Sequence, residues 1–369
     1  MLRPTQAIVN LDAIHDNVTT IIGRLTPGTR LMAVVKAEGY GHGALAVAET
    51  ALAAGAEWIG VALAEEGVRL REAGITAPIL VLGQSWDDQI GLAVAHDLDL
   101  TVFDLVTLDQ IEAEAKRLHR RARIHVKLDT GMGRVGIPVH EWGGYWQQRL
   151  LECTGVDWVG LMTHFAESDA EDPLFTVLQL SRFQDAVESL RKIGQLPTFL
   201  HAANSAAAIR FPGSHLSLVR VGIALYGGDA TIRLKPALSI ESKIVFLKTL
   251  PAHYPVGYGR TYYTPQAMQI ASVPIGYADG YRRIFSNRGV ALVRGRRYPV
   301  VGRVSMDQIT IGIPLGDAVR VGDRVVLLGS DGAEEITVFD WAQWADTIPY
   351  EVLCGIGSRV PRVLYKSSH

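Results

Sequence analysis

The sequence has little cysteine, little net charge and no long hydrophobic run. Its 369 residues include two cysteines, which are too few for a disulfide framework or a cysteine-rich zinc site. Lysine and arginine number 36 against 38 aspartates and glutamates, and this net charge of -2 argues against a dedicated nucleic-acid binder. No stretch approaches the roughly 18 apolar residues of a membrane span, and the first residues lack a signal-peptide layout. These absences predict a cytoplasmic globular protein without nucleic-acid or membrane partners.

The first two-thirds of the chain alternates short apolar runs with helical periods. Most of the runs are continuously apolar, as is typical of parallel strands covered on both faces. Helical periods separate them, for example at 44–55, 63–74 and 173–194, each ending at a glycine that suits a helix C-terminus. The strand candidates are residues 30–37, 58–62, 78–83, 98–103, 123–129, 156–165, 197–204 and 217–227.

Eight such units in about 200 residues predict a (β/α)8 barrel. A doubly wound open sheet is the alternative, although no GxGxxG motif follows the first run. After the barrel, apolar segments separated by Gly, Pro and Asp turns predict antiparallel strands and one short helix. We therefore expect a barrel over residues 12–235 and a β-rich C-terminal domain over 236–369, with residues 1–11 forming a strand that joins the second domain.

Polar residues follow the ends of several predicted barrel strands, where barrel enzymes carry their working groups. No cysteine, histidine and acid set has metal-ligand spacing, so we expect no metal, and no GxSxG nucleophile motif is present. The candidates at strand ends are Lys36, Lys127, Arg134, His164, Asn204, Ser205, Arg220, Gly222 and Ile223.

Lys36 directly follows three apolar residues of the first predicted strand. A lysine desolvated there has a lowered pKa and becomes a nucleophilic amine, able to form a Schiff base. The alternative is a lysine whose charged end reaches solvent at the barrel mouth. The glycines of the following EGYGHG segment leave bare backbone for the close approach of a cofactor.

The segment VVKAEGYGHG at 34–43 resembles the cofactor-lysine motif of the alanine racemases, fold type III enzymes that bind pyridoxal 5'-phosphate (PLP). Eight further blocks continue the resemblance in the family's order over essentially the whole chain. They read KLDTGMGRVG, THFA, HAANSAA, VRVGIALYG, VGYGRTY, VPIGYADGY, GRVSMDQ and YEVLCGIGSRVPR. The family's architecture, a barrel followed by a β domain, agrees with the pattern above. The resemblance implies an isomerase that interconverts L-alanine and D-alanine for peptidoglycan synthesis.

The resemblance implies two bases on opposite faces of the substrate α-carbon. Lys36 corresponds to the lysine that bonds covalently to the cofactor and acts as one base. Tyr258 corresponds to the other base, which in the family comes from the partner subunit of a homodimer. Because tyrosine ordinarily titrates near pH 10, this role requires nearby positive charge. Read alone, Tyr258 also fits a simple turn residue after Gly257.

Further positions carry over from the resemblance. Arg220 corresponds to the arginine at the pyridine nitrogen, and His164 to the histidine between that arginine and the tyrosine. Lys127 corresponds to a lysine that is carbamylated (N6-carboxylysine) in several members; the alternative is an ordinary strand lysine paired with Asp129 or another acid. The phosphate-binding positions correspond to Tyr40, Asn204, Ser205, Gly222, Ile223 and Tyr350. The positions near the cofactor oxygen, the substrate carboxylate and the substrate entrance correspond to Arg134, Tyr277 and Met306.

Simple structural roles also fit several of these residues. His164 suits a hydrogen-bonded histidine at a strand end, Arg134 a solvated loop residue, and Ser205 a helix N-cap before AAAIR. The lysine motif departs from the commoner family form VVKANAYGHG at Glu38 and Gly39. A serine or broader-specificity racemase remains the alternative function, since pockets reject an added hydroxyl poorly. A decarboxylase of the same fold, a PLP carrier and a scaffold protein fit less well.

Overall fold

The computed structural model describes residues 3–367 and divides into two compact units. The first contains the described residues up to Ala13, Tyr40–His42 and the residues from Lys235 onward. The second contains Ile14–Gly39 and Gly43–Leu234. A first strand, β1 (Gln6–Asn10), and a helix, α1 (Leu11–Ile22), begin the described chain.

The second unit is a parallel barrel, as the apolar runs predict. Strands β2 to β10 are Arg30–Val34, Trp58–Val61, Ile79–Val81, Asp99–Val102, Ala122–Asp129, Ile137–Pro138, Val156–Met162, Phe199–His201 and Leu218–Val221. Eight of them pair side by side in the order β10-β2-β3-β4-β5-β6-β8-β9, and the two-residue β7 lies beside β6. Backbone hydrogen bonds from Ser217 N to Leu200 O (3.1 Å) and from Arg220 N to Ala203 O (3.0 Å) join the two ends of this order. The barrel prediction is therefore confirmed.

Helices follow the barrel strands. After the short turn α2 (Lys36–Tyr40), helices α3 to α9 are Ala44–Ala53, Ala64–Glu72, Asp87–Ala95, Leu105–Arg117, Gly144–Glu152, Leu174–Lys192 and Ser205–Arg210. Only some of the apolar residues that recur at helical spacing in α8 are buried. Phe183, Val187 and Leu190 are buried, whereas Leu174 and Val177 near its start are exposed. In the first half of the helix the buried side carries the polar residues Thr176 and Gln179, which an apolar period does not identify.

Apolar side chains fill the barrel interior. One buried cluster joins residues from six different strands and leaves no exposed member. Its residues are Met32, Trp58, Leu80, Met162, Phe199 and Leu218. Burial of about 25 cal/mol per Å² of such surface is the main term that stabilises a barrel of this kind. The polar candidates beyond the strand ends therefore rest on a rigid apolar layer.

The first unit is mostly β. Strands β11 to β21 are Leu238–Lys243, Phe246–Leu250, Pro255–Val256, Tyr262–Tyr263, Met268–Val273, Val290–Val293, Arg296–Pro299, Ile309–Pro314, Arg324–Asp331, Glu334–Ile336 and Arg362–Tyr365. Strand β1 lies between β11, which is antiparallel to it, and β21, which is parallel. Two helices occur where the sequence predicts one, α10 (Val338–Ala345) and α11 (Pro349–Cys354), because Asp346 adopts a left-handed conformation that ends the first.

Single-turn 3-10 helices complete both units, at Pro212–Ser214, Ile223–Tyr226, Tyr258–Arg260, Tyr277–Asp279 and Arg283–Phe285. Several carry candidate residues, so these candidates lie on tight turns rather than within strands or long helices. In the described part of the chain, no helix is both long and apolar enough to cross a bilayer.

Candidate active site

Lys36 lies just beyond its barrel strand, not within it as the sequence suggests. Strand β2 ends at Val34, and Lys36 starts the turn α2. The residues after it adopt left-handed backbone conformations, with φ of 52° at Ala37, 54° at Glu38 and 60° at Gly39. Such conformations are uncommon for residues other than glycine and often mark functional sites. The turn fixes the backbone that carries the Lys36 amine at the carboxyl end of the barrel.

Glu66 holds this turn, and sequence analysis does not identify it. One carboxylate oxygen accepts a hydrogen bond from the backbone N–H of Ala37 (2.7 Å). The other accepts from the N–H groups of Ala62 (2.8 Å) and Leu63 (3.2 Å). The glutamate thus ties the start of helix α4 to the residue after Lys36. Ala37 and Glu66 are 29 positions apart, so a local sequence pattern does not reveal this hydrogen bond.

Arg220 is the most enclosed cation of the barrel. It is 4% exposed, and burial lowers its pKa to about 10, so it stays charged at neutral pH. Its Nη1 donates to the Nδ1 (2.9 Å) and the carbonyl oxygen (3.0 Å) of His201. Its Nη2 lies within hydrogen-bond distance of the carbonyl oxygens of Thr163 (2.7 Å) and Ala202 (3.1 Å). The neighbours of both terminal nitrogens are neutral acceptors.

His164 is the remaining contact of Arg220, as the sequence resemblance implies. Its Nδ1 lies 3.2 Å from Nη2 of the arginine. Burial, and then the positive charge of Arg220, hold the pKa of His164 well below its usual range. The imidazole is therefore neutral at physiological pH.

Lys127 lies near the end of β6 and is 6% exposed. Burial, reinforced by the positive charges of Arg220 and Arg134, lowers its pKa to about 8. The alternative pairing with Asp129 is not seen, since within residues 3–367 no carboxylate forms an ion pair with Lys127. The Asp129 carboxylate instead accepts hydrogen bonds from the N–H groups of Gly131 and Gly133.

The loop after β6 brings Arg134 back toward Lys127. Gly136 has a φ of 139° and packs directly against the backbone of Asp129, where a Cβ atom would clash. The chain then pairs with β6 again, Ile137 opposite Leu128. The Arg134 side chain is exposed, yet it lies within electrostatic reach of Lys127. The sequence distance of seven positions is thus closed by a folded loop.

Ser205 and its neighbours form a compact set of hydrogen-bonding groups. The Ser205 hydroxyl accepts from the backbone N–H of Gly222 (2.9 Å) and of Ala224 (3.4 Å), so its own hydrogen is directed elsewhere. The N-cap of helix α9 is Asn204, whose side chain accepts a hydrogen bond from Ala207 N. The sequence suggests Ser205 for this N-cap role, and that alternative is wrong. Ile223 starts the 3-10 turn after Gly222 and is buried.

In the β-rich unit, Tyr258 lies on an exposed turn. Its side chain is 72% exposed, and the flanking glycines have φ of 72° at Gly257 and 69° at Gly259. Gly257 packs against the backbone of Arg303, so this turn lies beside the segment that leads to Met306. The turn therefore presents the Tyr258 side chain at the surface.

Tyr277 and Met306 come from two segments that are joined by backbone hydrogen bonds. The N–H of Tyr277 donates to Ser305 O (3.0 Å), and that of Ala278 donates to Met306 O (3.1 Å). Gly276 allows this approach, because a Cβ there would overlap both carbonyl groups. Both side chains are exposed, 43% for Tyr277 and 52% for Met306.

Tyr40 and Tyr350 are neighbours, with ring centroids 6.0 Å apart. Burial, and to a lesser degree Tyr350, raise the pKa of Tyr40 above its usual range, so its hydroxyl remains protonated. Tyr350 is 42% exposed on helix α11. The pair offers two phenolic hydroxyls in one region.

Two family models match the chain. The model described as "Alanine racemase, N-terminal domain" covers residues 9–230, and the one described as "Alanine racemase, C-terminal domain" covers residues 237–364. An alanine racemase from Symbiobacterium thermophilum is 46% identical over 367 residues, with 98% of this chain and 97% of the relative covered. One from Desulforamulus reducens is 43% identical over 370 residues, with 98% and 99% covered.

Solved structures show the same similarity. The alanine racemase of Streptomyces lavendulae has a TM-score of 0.94 at 37% identity, with 100% of this chain and 98% of that chain covered. The Bacillus anthracis enzyme, described with bound L-Ala-P, has a TM-score of 0.92 at 38% identity, with 99% and 96% covered.

Proposed function

This chain belongs to the alanine racemase family, and we propose that it acts with PLP bound at the barrel mouth. Its activity is the interconversion of L-alanine and D-alanine, an isomerase reaction. The proposal covers which residues hold the cofactor, which move protons, and how two copies of the chain cooperate. Supply of D-alanine for peptidoglycan in the cytoplasm is part of the same proposal.

The observation that carries this proposal is a concentration of positive charge beyond the barrel strands. Lys36, Arg134 and Arg220 lie within electrostatic reach of Lys127, and all four cations lie within electrostatic reach of His164. Their mutual repulsion opposes folding unless an anion relieves it. A cofactor with a phosphate, together with a substrate carboxylate, has the matching charge.

The polar groups near Ser205 fit the phosphate. The Ser205 hydroxyl already accepts from Gly222 and Ala224, which leaves its hydrogen for a phosphate oxygen. The backbone around Gly222 and Ile223 continues this set. By family resemblance, Asn204, Tyr40 and Tyr350 belong to it, and the protonated hydroxyl of Tyr40 is a suitable donor.

Arg220 fits the pyridine nitrogen. Its two terminal nitrogens have neutral acceptors, so Nε–H is the donor that remains for a ligand. Since arginine only donates and stays charged, it favours an unprotonated ring nitrogen. When bound, PLP acidifies the substrate α-hydrogen by drawing charge into its ring. With an unprotonated nitrogen this withdrawal is weaker, which limits side reactions.

Two bases then move the proton. We assign Lys36 to one face of the α-carbon, where its amine takes or returns the proton. We assign Tyr258 of the partner subunit to the opposite face, in agreement with its exposure of 72%. Arg220, acting through the neutral His164, supplies the positive potential that favours the phenolate. The protein is therefore proposed to work as a homodimer.

Substrate size and orientation are assigned to three further residues. Arg134 is an exposed guanidinium suited to the substrate carboxylate. Tyr277 and Met306 of the partner subunit narrow the entrance, and their hydrogen-bonded segments give that entrance a fixed shape. A narrow entrance favours alanine over larger amino acids.

Lys127 is assigned as a carbamate. A buried amine with a pKa of about 8 is substantially neutral near that pH, and neutral amines react with carbon dioxide. The amine nitrogen bonds to the carbon of carbon dioxide and releases one proton to solvent, and the resulting carbamate anion can pair with Arg134 and fix its direction. Carbamylation also removes one of the four positive charges from the cluster.

The activity test uses purified protein with added PLP in D₂O. We expect L-alanine to yield α-deuterated D-alanine rapidly, and L-serine to react much more slowly. Tyr258→Phe should keep exchange on the Lys36 face but lose inversion. Equal rates with serine would favour the broader-specificity alternative, and absence of any exchange would contradict the proposed function.

The shared site is tested by mixing two inactive variants, Lys36→Ala and Tyr258→Phe. Random exchange of subunits gives mixed dimers with one intact site, so about a quarter of the wild-type activity should return. Each variant mixed with itself is the matched control. If Tyr258 acted within its own chain, no mixture would recover activity.

A further inference from the structure

A line of hydrogen-bonded side chains runs through the barrel interior to Arg220. Asp99 Oδ2 lies 3.2 Å from His125 Nε2, and His125 Nδ1 lies 2.8 Å from His201 Nε2. His201 Nδ1 in turn lies 2.9 Å from Arg220 Nη1. At the other end, Arg123 Nε contacts both carboxylate oxygens of Asp99, at 3.0 and 3.1 Å.

The guanidinium determines the direction of every bond in this line. Because arginine only donates, Nδ1 of His201 must accept, and its proton must lie on Nε2. That proton is donated to Nδ1 of His125, which is therefore also neutral and protonated on Nε2. His125 then donates to Asp99, so all donors point from Arg220 toward the carboxylate.

The surroundings keep both imidazoles neutral. His125 and His201 are fully buried, and burial is the main cause that lowers the pKa of each. Trp58 packs edge-on against His125 at 5.4 Å between centroids. On the other side, a β-bulge sets Gly160 opposite His125, where any Cβ atom would overlap the ring.

A line of buried polar side chains stabilises a core less than apolar packing does. Buried polar groups contribute little net stability compared with apolar side chains of the same shape. This line ends on Arg220, and within residues 3–367 no carboxylate contacts that guanidinium directly. The carboxylate of Asp99, which also pairs with Arg123, lies at the far end of the line, two imidazole rings away.

We propose that Asp99, His125 and His201 are positioning residues that hold Arg220 in one orientation through a one-way hydrogen-bond line. The line fixes Nη1, and through it the direction of Nε–H. Because the carboxylate is two rings away, Arg220 keeps its full charge toward a ligand instead of sharing it with an adjacent acid. This inference deepens the proposed function and depends on it for its catalytic consequence.

The test combines ring ¹⁵N NMR of histidine-labelled protein, with and without PLP, with the kinetics of alanine racemisation. Asp99→Leu removes the final acceptor, whereas Asp99→Asn keeps an oxygen that can accept. His125→Phe interrupts the line with a ring of similar shape, in case Asp99→Leu fails to fold. Thr101→Val is the matched control, because Thr101 lies on the same strand, is equally buried and bonds only Val81 O.

We expect wild-type His125 and His201 to be single Nε2–H tautomers in the protein with and without PLP. Asp99→Leu or His125→Phe should mix the tautomers of His201, weaken PLP binding and lower kcat about tenfold with KM nearly unchanged, as loss of an orienting partner typically does. Asp99→Asn should keep both tautomers and remain within about threefold of wild-type kcat. Thr101→Val should leave tautomers and kcat unchanged.

Three results would overturn the inference. One is an Nδ1–H tautomer of His201 in the wild type; another is wild-type tautomers or kcat in whichever of the two disrupting variants folds. A loss of kcat in Thr101→Val equal to theirs would also contradict it. Failure of the proposed function is a separate result, since a wild type without racemisation would leave the tautomer measurement intact.

Discussion

Nη2 of Arg220 lies 3.2 Å from Nδ1 of His164, and this contact determines where the histidine carries its proton. The guanidinium can only donate, so a neutral His164 is protonated on Nε2. The N–H is thereby directed away from Arg220 and is available to a second group. This geometry supports the assignment of a phenolic oxygen as that group.

Arg220→Lys is expected to lower both stability and activity. An ammonium cannot reach the carbonyl oxygens of Thr163, His201 and Ala202 together, and each buried acceptor left alone costs about 1–3 kcal/mol. Thermal unfolding and kcat would measure the two effects. Arg210→Lys is the control, because Arg210 also donates to two carbonyl oxygens but lacks a His164 contact. Equal losses of kcat in both variants would contradict a special role of Arg220.

The lowered pKa of Lys127 predicts that its contribution to protein stability depends on pH. Its folded-state pKa of about 8 lies below the ordinary 10.5, so between these values the unfolded chain binds a proton that the folded protein does not. The contribution of Lys127 to stability therefore rises with pH in this window, by at most about 1.4 kcal/mol per pH unit. In carbonate-free buffer, the stability advantage of Lys127→Met over wild type should shrink from pH 8 to pH 9.5. A constant difference would show that the lysine pKa is not lowered.

Carbamylation of Lys127 gives a second, independent result. Protein equilibrated with ¹³C-bicarbonate should show a carbamate resonance that is absent in Lys127→Met. The resonance should strengthen as pH rises through about 8, since the reacting amine must be neutral. Its absence from the wild type would leave Lys127 an ordinary buried lysine.

Two substitutions in the left-handed turn after Lys36 should change the stability of the protein in opposite directions. Glu38 has φ 54° and ψ 44°, a conformation that asparagine adopts more readily, so Glu38→Asn should stabilise the protein by about 1 kcal/mol. The exposed ion pair with Arg69 (3.7 Å) that it removes is worth little. Gly39→Ala should destabilise by about 1 kcal/mol, because it adds a Cβ 3.2 Å from Val47 at a φ of 60°. Urea unfolding of both variants is the measurement, and equal signs would contradict the role of backbone strain.

Glu66→Ala should loosen the same turn. It removes the acceptor for the N–H groups of Ala37, Ala62 and Leu63, at a cost of about 1–3 kcal/mol. We expect a lower kcat as well, because the Lys36 backbone loses its tie to helix α4. Glu65→Ala, one position earlier on that helix, should stay within about 0.5 kcal/mol of wild type and keep its kcat. An unchanged kcat in Glu66→Ala would contradict the proposed role of Glu66 in positioning Lys36.

Features that depend on local patterns could be predicted from the sequence. Continuous apolar runs such as Trp58–Val61 identify the buried parallel strands, although the last predicted strand ends earlier than expected and Ile223–Tyr226 forms a 3-10 turn instead. The motif around Lys36 predicts the right position at the barrel mouth, but not the left-handed turn, since Glu38 has no special preference for it. Periodicity also assigns Leu174 to the core, although it is 71% exposed. Coverage by neighbouring elements decides such cases, and it is not encoded in one helix.

The interior polar line could not be predicted. Asp99 and His125 are 26 positions apart, and His125 and His201 are 76 apart. Each of these residues read alone is an ordinary polar residue within an apolar strand. Only closure of the barrel makes them neighbours, whereas Lys36 and Tyr258 belong to distinctive local motifs.

The bulge that sets Gly160 opposite His125 restricts how this protein can be altered. A library that varies position 160 alone should return glycine, because any larger residue displaces the imidazole. Varied together with position 125, the same site should accept alanine or serine when a small residue replaces the histidine. Positions 125 and 160 can therefore change only together. A selection for activity would still distinguish the two combinations, because the pair that lacks His125 should have a catalytic defect.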